Sequence, residues 1–137
     1  MIKEVEVREN GGPEKIFWKE CALDKLKPGQ VTIEHTFVGL NFIDTYHRSG
    51  LYPLPLPTKL GMEGAGVVVD KAPDVNEWEI GDRVAYVMAL GSYSTKRNIE
   101  ANKLVKIPKS ISDQQAAAIL LKGMTVEYLV ERLFKVD

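Results

Sequence analysis

The sequence predicts a mainly β domain, a barrel or sandwich, followed by helices at its C-terminal end. Three observations carry this. Short runs of apolar and β-branched residues recur through the first two thirds of the chain. Proline and glycine clusters fall between those runs rather than inside them. From Ser112 onward the apolar spacing becomes helical.

The elements follow in order. Ile2 to Arg8 reads as a strand with Val5 and Val7 on one face. Asn10-Gly11-Gly12-Pro13 is a turn, and Ile16 to Trp18 begins a second strand. After the turn Lys27-Pro28-Gly29-Gln30, the run VTIEHTFVGL alternates. Val31, Ile33, His35 and Phe37 are expected on the inner face, so His35 is expected to be a hydrogen-bonded core residue rather than a ligand. Asn41 suits the N-cap of a short helix, and Gly50 suits its C-terminal end. Residues 53–57 hold three prolines, which bars a helix or a central strand. Gly64 to Lys71, Val84 to Val87, Ser92 to Ile99 and Lys103 to Ile107 complete the set of strands.

Ser112 and Gln115 form a capping box that opens a helix through DQQAAAILL. Lys122-Gly123 is expected to interrupt it. A second helix then carries Val126, Leu129, Val130, Leu133 and Phe134 on one stripe, with Glu131 and Lys135 as an i,i+4 pair.

Composition narrows the function. The chain has 137 residues, 45% hydrophobic and 27% charged, as in a soluble single domain. Its 18 basic and 19 acidic residues leave a net charge of -1, which gives no basis for binding nucleic acid or an anionic membrane. There is no apolar run of 18 residues, and the charged start MIKEVEVREN has no signal-peptide core. A single cysteine, Cys21, permits neither an internal disulfide nor a cysteine-rich zinc site. It reads as a small half-buried residue, and a reducing cytoplasm is the expected compartment.

The densest stretch of polar tips is GLNFIDTYHRSGLYPLPLPTKLGMEG, residues 39–64. With GDRVAY, GSYS and AAAILLKGMTVEYLV in the same order, it resembles the quinone oxidoreductases of the medium-chain dehydrogenase/reductase superfamily, the zeta-crystallin-like NADPH:quinone reductases. The resemblance runs over essentially the whole chain. It implies a mainly β fold with C-terminal helices: a GroES-like, partly open β-barrel over residues 1–111, called the catalytic domain. Residues 112–137 would be helices leading towards a nucleotide-binding domain. A Rossmann domain is absent from this chain, because the chain has no G-x-G-x-x-G turn to seat a pyrophosphate.

The resemblance also implies chemistry. Zinc-dependent members of the superfamily carry a Cys at the position of Asn41 and a His at that of Met62. Asn and a thioether are poor zinc ligands, so no metal site is expected. The activity implied is hydride transfer from NADPH to a quinone, with this chain alone inactive. Reduction of enones or enoyl thioesters is the alternative within the superfamily, and a non-enzymatic GroES-like binding module is the alternative outside it.

By resemblance, Asn41, Phe42, Ile43, Asp44, Thr45 and Tyr46 face the cofactor, and so do Lys122, Thr125 and Tyr128. Tyr52 and the proline loop border the acceptor. Asn41, Tyr46 and Tyr52 are the catalytic candidates, with Tyr46 or solvent as proton donor.

Structural roles stand beside these. Asn41 also reads as a helix cap, Asp44 as an i,i+4 partner of Arg48, Lys122 as a helix C-terminal charge and Tyr128 as packing. His47 and Arg48 read as surface residues, Arg48 with a reach to phosphate. Glu63 reads as a structural carboxylate among the amides at Gly61 and Gly64. No nucleophile–base pair is visible. The apolar stripe after Met124 has to fold back, pair with another copy or lie exposed, so self-association or marginal stability is expected.

Overall fold

Among the described residues, seven strands, β1 to β7, make two antiparallel sheets. The computed structural model describes residues 1–134. β1 (Ile2–Glu6) pairs with β2 (Phe17–Cys21) in a small sheet. The larger sheet has the order β6-β3-β4-β5-β7. Its strands are β3 (Gln30–Gly39), β4 (Glu63–Lys71), β5 (Arg83–Val87), β6 (Lys96–Glu100) and β7 (Val105–Lys106). Two single bridges, Glu4 to Ser94 and Val7 to Thr58, tie the small sheet to the rest. The sheets stay open, in keeping with a partial GroES-like fold. No described helix is long and apolar enough to cross a membrane.

The core has three parts. Val31, Ile33, Val68, Val84, Tyr86 and Ile99 form the largest cluster with Trp78, whose indole N–H donates to the Ala101 carbonyl at 3.0 Å. Val5, Val7 and Leu60 seal the small sheet. Ala65 and Ala85 form a smooth patch on the larger sheet, and Ala117 seats on it. Small residues there let a helix approach the strands closely. Gly39 takes the limit: a Cβ at that position would collide with Glu63 Oε2 and the Ala117 carbonyl.

The helices follow their caps. α1 (Phe42–Ser49) starts at N-cap Asn41 and stops at Gly50, whose φ of 82° is the left-handed conformation that glycine adopts without strain. α2 (Asp113–Glu127) opens with the Ser112–Gln115 capping box, Gln115 N–H donating to Ser112 Oγ at 3.1 Å.

Several local expectations are corrected. α2 runs through Lys122-Gly123 without a break, because a lone helical glycine costs only about 1 kcal/mol and packing upstream offsets that. The second helix is instead a π-helical continuation, Tyr128–Leu133, in which Phe134 N–H donates to the Leu129 carbonyl at 3.0 Å. The Glu131–Lys135 pair lies outside the described residues. Arg132 Nε bonds Glu127 Oε1 at 2.9 Å, five residues back, as π winding allows.

On β3 the simple two-face reading fails. Thr32 is buried and Phe37 is exposed, since register shifts at Thr32/Ile33 and His35/Phe37 re-aim the side chains. Ser92 to Thr95 is not regular strand. Its first amides close turns, Ser92 N–H to the Gly61 carbonyl and Tyr93 N–H to the Leu60 carbonyl.

His35 is satisfied as expected. Its Nδ1 lies 2.7 Å from the Ser94 carbonyl and its Nε2 lies 2.8 Å from the Tyr86 hydroxyl. A carbonyl can only accept, so Nδ1 carries the proton and Tyr86 donates to Nε2. Burial holds the His35 pKa down at about 4.

Candidate functional site

Three elements meet at one polar junction. Glu63 starts β4 with its side chain fully buried. Its Oε1 accepts the Leu121 N–H from α2 at 2.7 Å, and its Oε2 accepts Asn41 Nδ2 at 2.9 Å. Lys122 Nζ then donates to Asn41 Oδ1 at 3.0 Å and to the Leu40 carbonyl at 3.3 Å, and sits 3.6 Å from Glu63 Oε2. A buried carboxylate needs this many partners to offset its desolvation. The partners of Glu63 are thus Leu121 and Asn41 rather than the amides at Gly61 and Gly64, which corrects the sequence reading.

Asn41 does two jobs at once. Its backbone N–H is accepted by Asp44 Oδ2 at 2.9 Å, the reciprocal half of a capping box. Its side-chain amide bridges Glu63 and Lys122. The loop before α1 is thereby fixed to α2 across more than 80 residues of sequence, with Leu40 and Phe42 left standing outward at 78% and 80% exposure.

α1 divides into two faces. Phe42, Tyr46 and Tyr52 form an outer aromatic row, with ring centroids 6.4 Å apart for Phe42–Tyr46 and 5.2 Å for Tyr46–Tyr52. Tyr52 is half exposed, and its N–H donates to the Tyr46 carbonyl at 3.2 Å, which ties the proline loop to the helix. Thr45 Oγ1 bonds back to the Phe42 carbonyl at 2.7 Å, and Ile43 is half-buried.

The inner face differs from the sequence reading. Asp44 is 4% exposed and forms no pair with Arg48. Its Oδ2 accepts the Tyr93 hydroxyl at 2.7 Å, and burial together with that carboxylate pushes the Tyr93 pKa up. Arg48 Nε donates to the Gly11 carbonyl at 3.1 Å. His47 is buried at 7% exposure, not a surface residue. Helix geometry explains the change: positions 44, 47 and 48 share the face that packs on the barrel, while 42, 45 and 46 share the outer one. Asp44 therefore stands apart from the other candidates on this helix.

Thr125 and Tyr128 lie further along the C-terminal helix. Thr125 Oγ1 is engaged by the Leu121 carbonyl at 2.9 Å. Tyr128 is half exposed and borders, with Met124 and Arg132, an open groove of about 700 Å³ on the same side as Leu121. Among the described residues, no hydrogen bond or ring contact joins Tyr128 to α1. The structure thus brings together Asn41, Glu63 and Lys122, and separately Phe42, Tyr46 and Tyr52. Tyr93 and the Leu121 amide were not foreseen; only the hydroxyl in the quoted GSYS motif pointed towards the first.

The donor set does not suit a metal ion. Glu63 and Asn41 already surround an ammonium group, and a dication there would face Lys122 at close range. The Met62 thioether is a poor zinc ligand beside them. Among the described residues, no group of three His, Cys, Asp and Glu side chains converges.

Comparison with known proteins gives consistent results. The family model "Alcohol dehydrogenase GroES-like domain" matches residues 27–130. A quinone oxidoreductase of Pseudomonas aeruginosa is 42% identical, over 98% of this chain and 42% of that protein. A 2-haloacrylate reductase of Burkholderia is 39% identical, over 99% of this chain and 43% of that protein. The crystal structure of Escherichia coli quinone oxidoreductase complexed with NADPH superimposes with a TM-score of 0.95 at 42% identity, covering 98% of this chain and 42% of that one. The chain thus spans less than half the length of the relatives it matches.

Proposed function

This chain belongs to the alcohol dehydrogenase GroES-like domain family, and from that premise we propose that it is the catalytic part of an NADPH-dependent quinone oxidoreductase. In this reading residues 1–111 form the catalytic domain and 112–137 lead towards a nucleotide-binding half that supplies the rest of the cleft. Bound NADPH would deliver hydride to a quinone, and no metal takes part.

The observation that carries this reading is that Asn41, held by Glu63 and Lys122, caps the same short helix that carries Phe42 and Tyr46 of the aromatic row. A flat acceptor needs apolar walls on which to lie and a few polar groups to orient it. Tyr52 and the proline loop border that acceptor. Asn41 and Lys122 mark the nicotinamide side, with Ile43, Thr45, Thr125 and Tyr128 extending it. Asn41 holds its amide still because Glu63 fixes it, which is the preorganisation that hydride transfer requires. Tyr46 or solvent would hand a proton to the reduced oxygen.

A second reading has its own support. The Burkholderia relative is named for a reductase of an activated alkene. Hydride addition to a conjugated carbonyl uses the same walls and polar edge.

The test uses this chain joined to its nucleotide-binding half. NADPH oxidation is followed with 1,4-benzoquinone and, separately, with 2-chloroacrylate. Faster turnover of the quinone, lowered at least tenfold by Tyr46→Phe combined with Asn41→Ala, is expected. Preference for the acrylate moves the assignment to the second reading. Robust NADPH oxidation by the 137-residue chain alone would overturn the division of labour proposed here.

A further inference from the structure

A second polar cavity lies away from this site and shares no lining residue with it. It encloses about 140 Å³ between the loop around Lys25 and Lys27, the Lys59 stem, Gly91, and the Lys96–Arg97 start of β6. Its walls carry five cations, Lys25, Lys27, Lys59, Lys96 and Arg97, against one carboxylate, Asp24.

Two of the five cations are neutralised locally. Lys59 pairs with Glu4 at 2.6 Å and Lys96 pairs with Glu34 at 3.2 Å. Among the described residues, neither Lys25, Lys27 nor Arg97 has a carboxylate within 4.0 Å. Arg97 is the telling one. It is half-buried, and its Nη1 is held by neutral groups, the Ala89 carbonyl at 2.8 Å and the Tyr86 hydroxyl at 3.3 Å. Its guanidinium carbon also lies 5.2 Å from the Tyr86 ring centroid. These contacts aim the group without cancelling its charge.

The floor of the cavity is kept open by Gly91. A Cβ there would lie 3.3 Å from Lys59 Cδ and 3.6 Å from Arg97 Nη1, in the space between the two cations. Gly91 has φ 106°, a conformation suited to glycine.

We propose that this cavity, walled by Lys25, Lys27 and Arg97 over Gly91, is a binding site for a single phosphate group. An oriented guanidinium with flanking ammonium groups is the usual protein answer to a tetrahedral dianion. The volume is well under the roughly 300–1,000 Å³ of pockets that enclose larger ligands, so only one oxyanion seats, either free phosphate or the end group of a phosphate monoester.

Backbone amide shifts of the chain, titrated with inorganic phosphate and in parallel with glucose 6-phosphate at constant ionic strength in chloride, test this. Saturable shifts centred on Gly91 and Asn98 are expected with at least one of the two, and the tighter one identifies the source. Lys25→Gln with Lys27→Gln should weaken binding about tenfold. Asp24→Asn should tighten it. Both changes are on exposed side chains and leave the fold intact. No saturable shift with either compound, shifts equal to those from chloride alone, or affinity unchanged in the double variant would each overturn the site.

Discussion

The two halves of the C-terminal helix are both rich in apolar residues and end up in opposite environments. From Ser112 to Leu121, Ala116, Ala117 and Leu120 turn onto the sheet at Ala65, Ala85 and Ile107. From Lys122 to Phe134 the apolar side chains Met124, Val126, Leu129, Leu133 and Phe134 are exposed. The difference lies in the partner surface, not in the helix. Where the sheet offers small residues, one side of the helix seats on it through Ala116, Ala117 and Leu120, while Ile119 stays exposed on the other side. Beyond Lys122 the apolar side chains have no buried cluster to join among the described residues; the winding stays α to Glu127 and is π from Tyr128 to Leu133. The outward row of α1 belongs to the second kind of surface, and so does the groove beside Tyr128. Apolar content alone does not distinguish core from contact surface; contact with another element does.

That contrast can be broken at its tightest point first. Gly39→Ala inserts a methyl group against Glu63 and the Ala117 carbonyl, under the buried half. A loss of at least about 3 kcal/mol in urea denaturation is expected, since backbone on one side cannot yield. A loss below 1 kcal/mol would show that the first half is not held by close approach to the sheet.

Acid tests the platform itself. The folded His35 pKa lies near 4, below its ordinary 6.5, so the unfolded chain binds the proton more readily. Stability from neutral His35 is present above pH 6.5 and is lost as pH falls towards 4, by about 2–3 kcal/mol. Denaturant midpoints measured every half unit should fall across that window, and His35→Gln should flatten the fall. A flat profile in the unmodified chain would contradict the closed interior.

The smallest effect is expected on the exposed half. Leu129→Ser with Leu133→Ser should change stability by no more than about 0.5 kcal/mol, while reducing any concentration-dependent association seen by light scattering. A large destabilisation would mean that these residues are packed, and the comparison of the two halves would fail.

Local chemistry was legible in the sequence. Ser112 with Gln115, Asn41 before α1 and Gly50 after it are signals that span three to nine residues, and each appears where it was read. The strands around Gly64 and Val84 were equally plain, because β-branched runs between turns have few other outcomes. Faces were harder. The sequence offers Asp44 a local partner in Arg48, whereas Tyr93, 49 residues later, holds it inward.

The sequence by itself determined the strand-rich domain, the helix caps and the polar stretch around Asn41, since these depend on neighbours in the chain. Tertiary structure alone decided that Glu63 joins Asn41 to Leu121 and Lys122, that α2 runs unbroken past Gly123, and that Arg97 lines a cavity with neutral groups rather than a carboxylate holding its guanidinium. The physical reason is common to all three. A buried charge or a helix face is satisfied by whatever the fold brings within a few ångströms, and those partners come from elements distant in sequence.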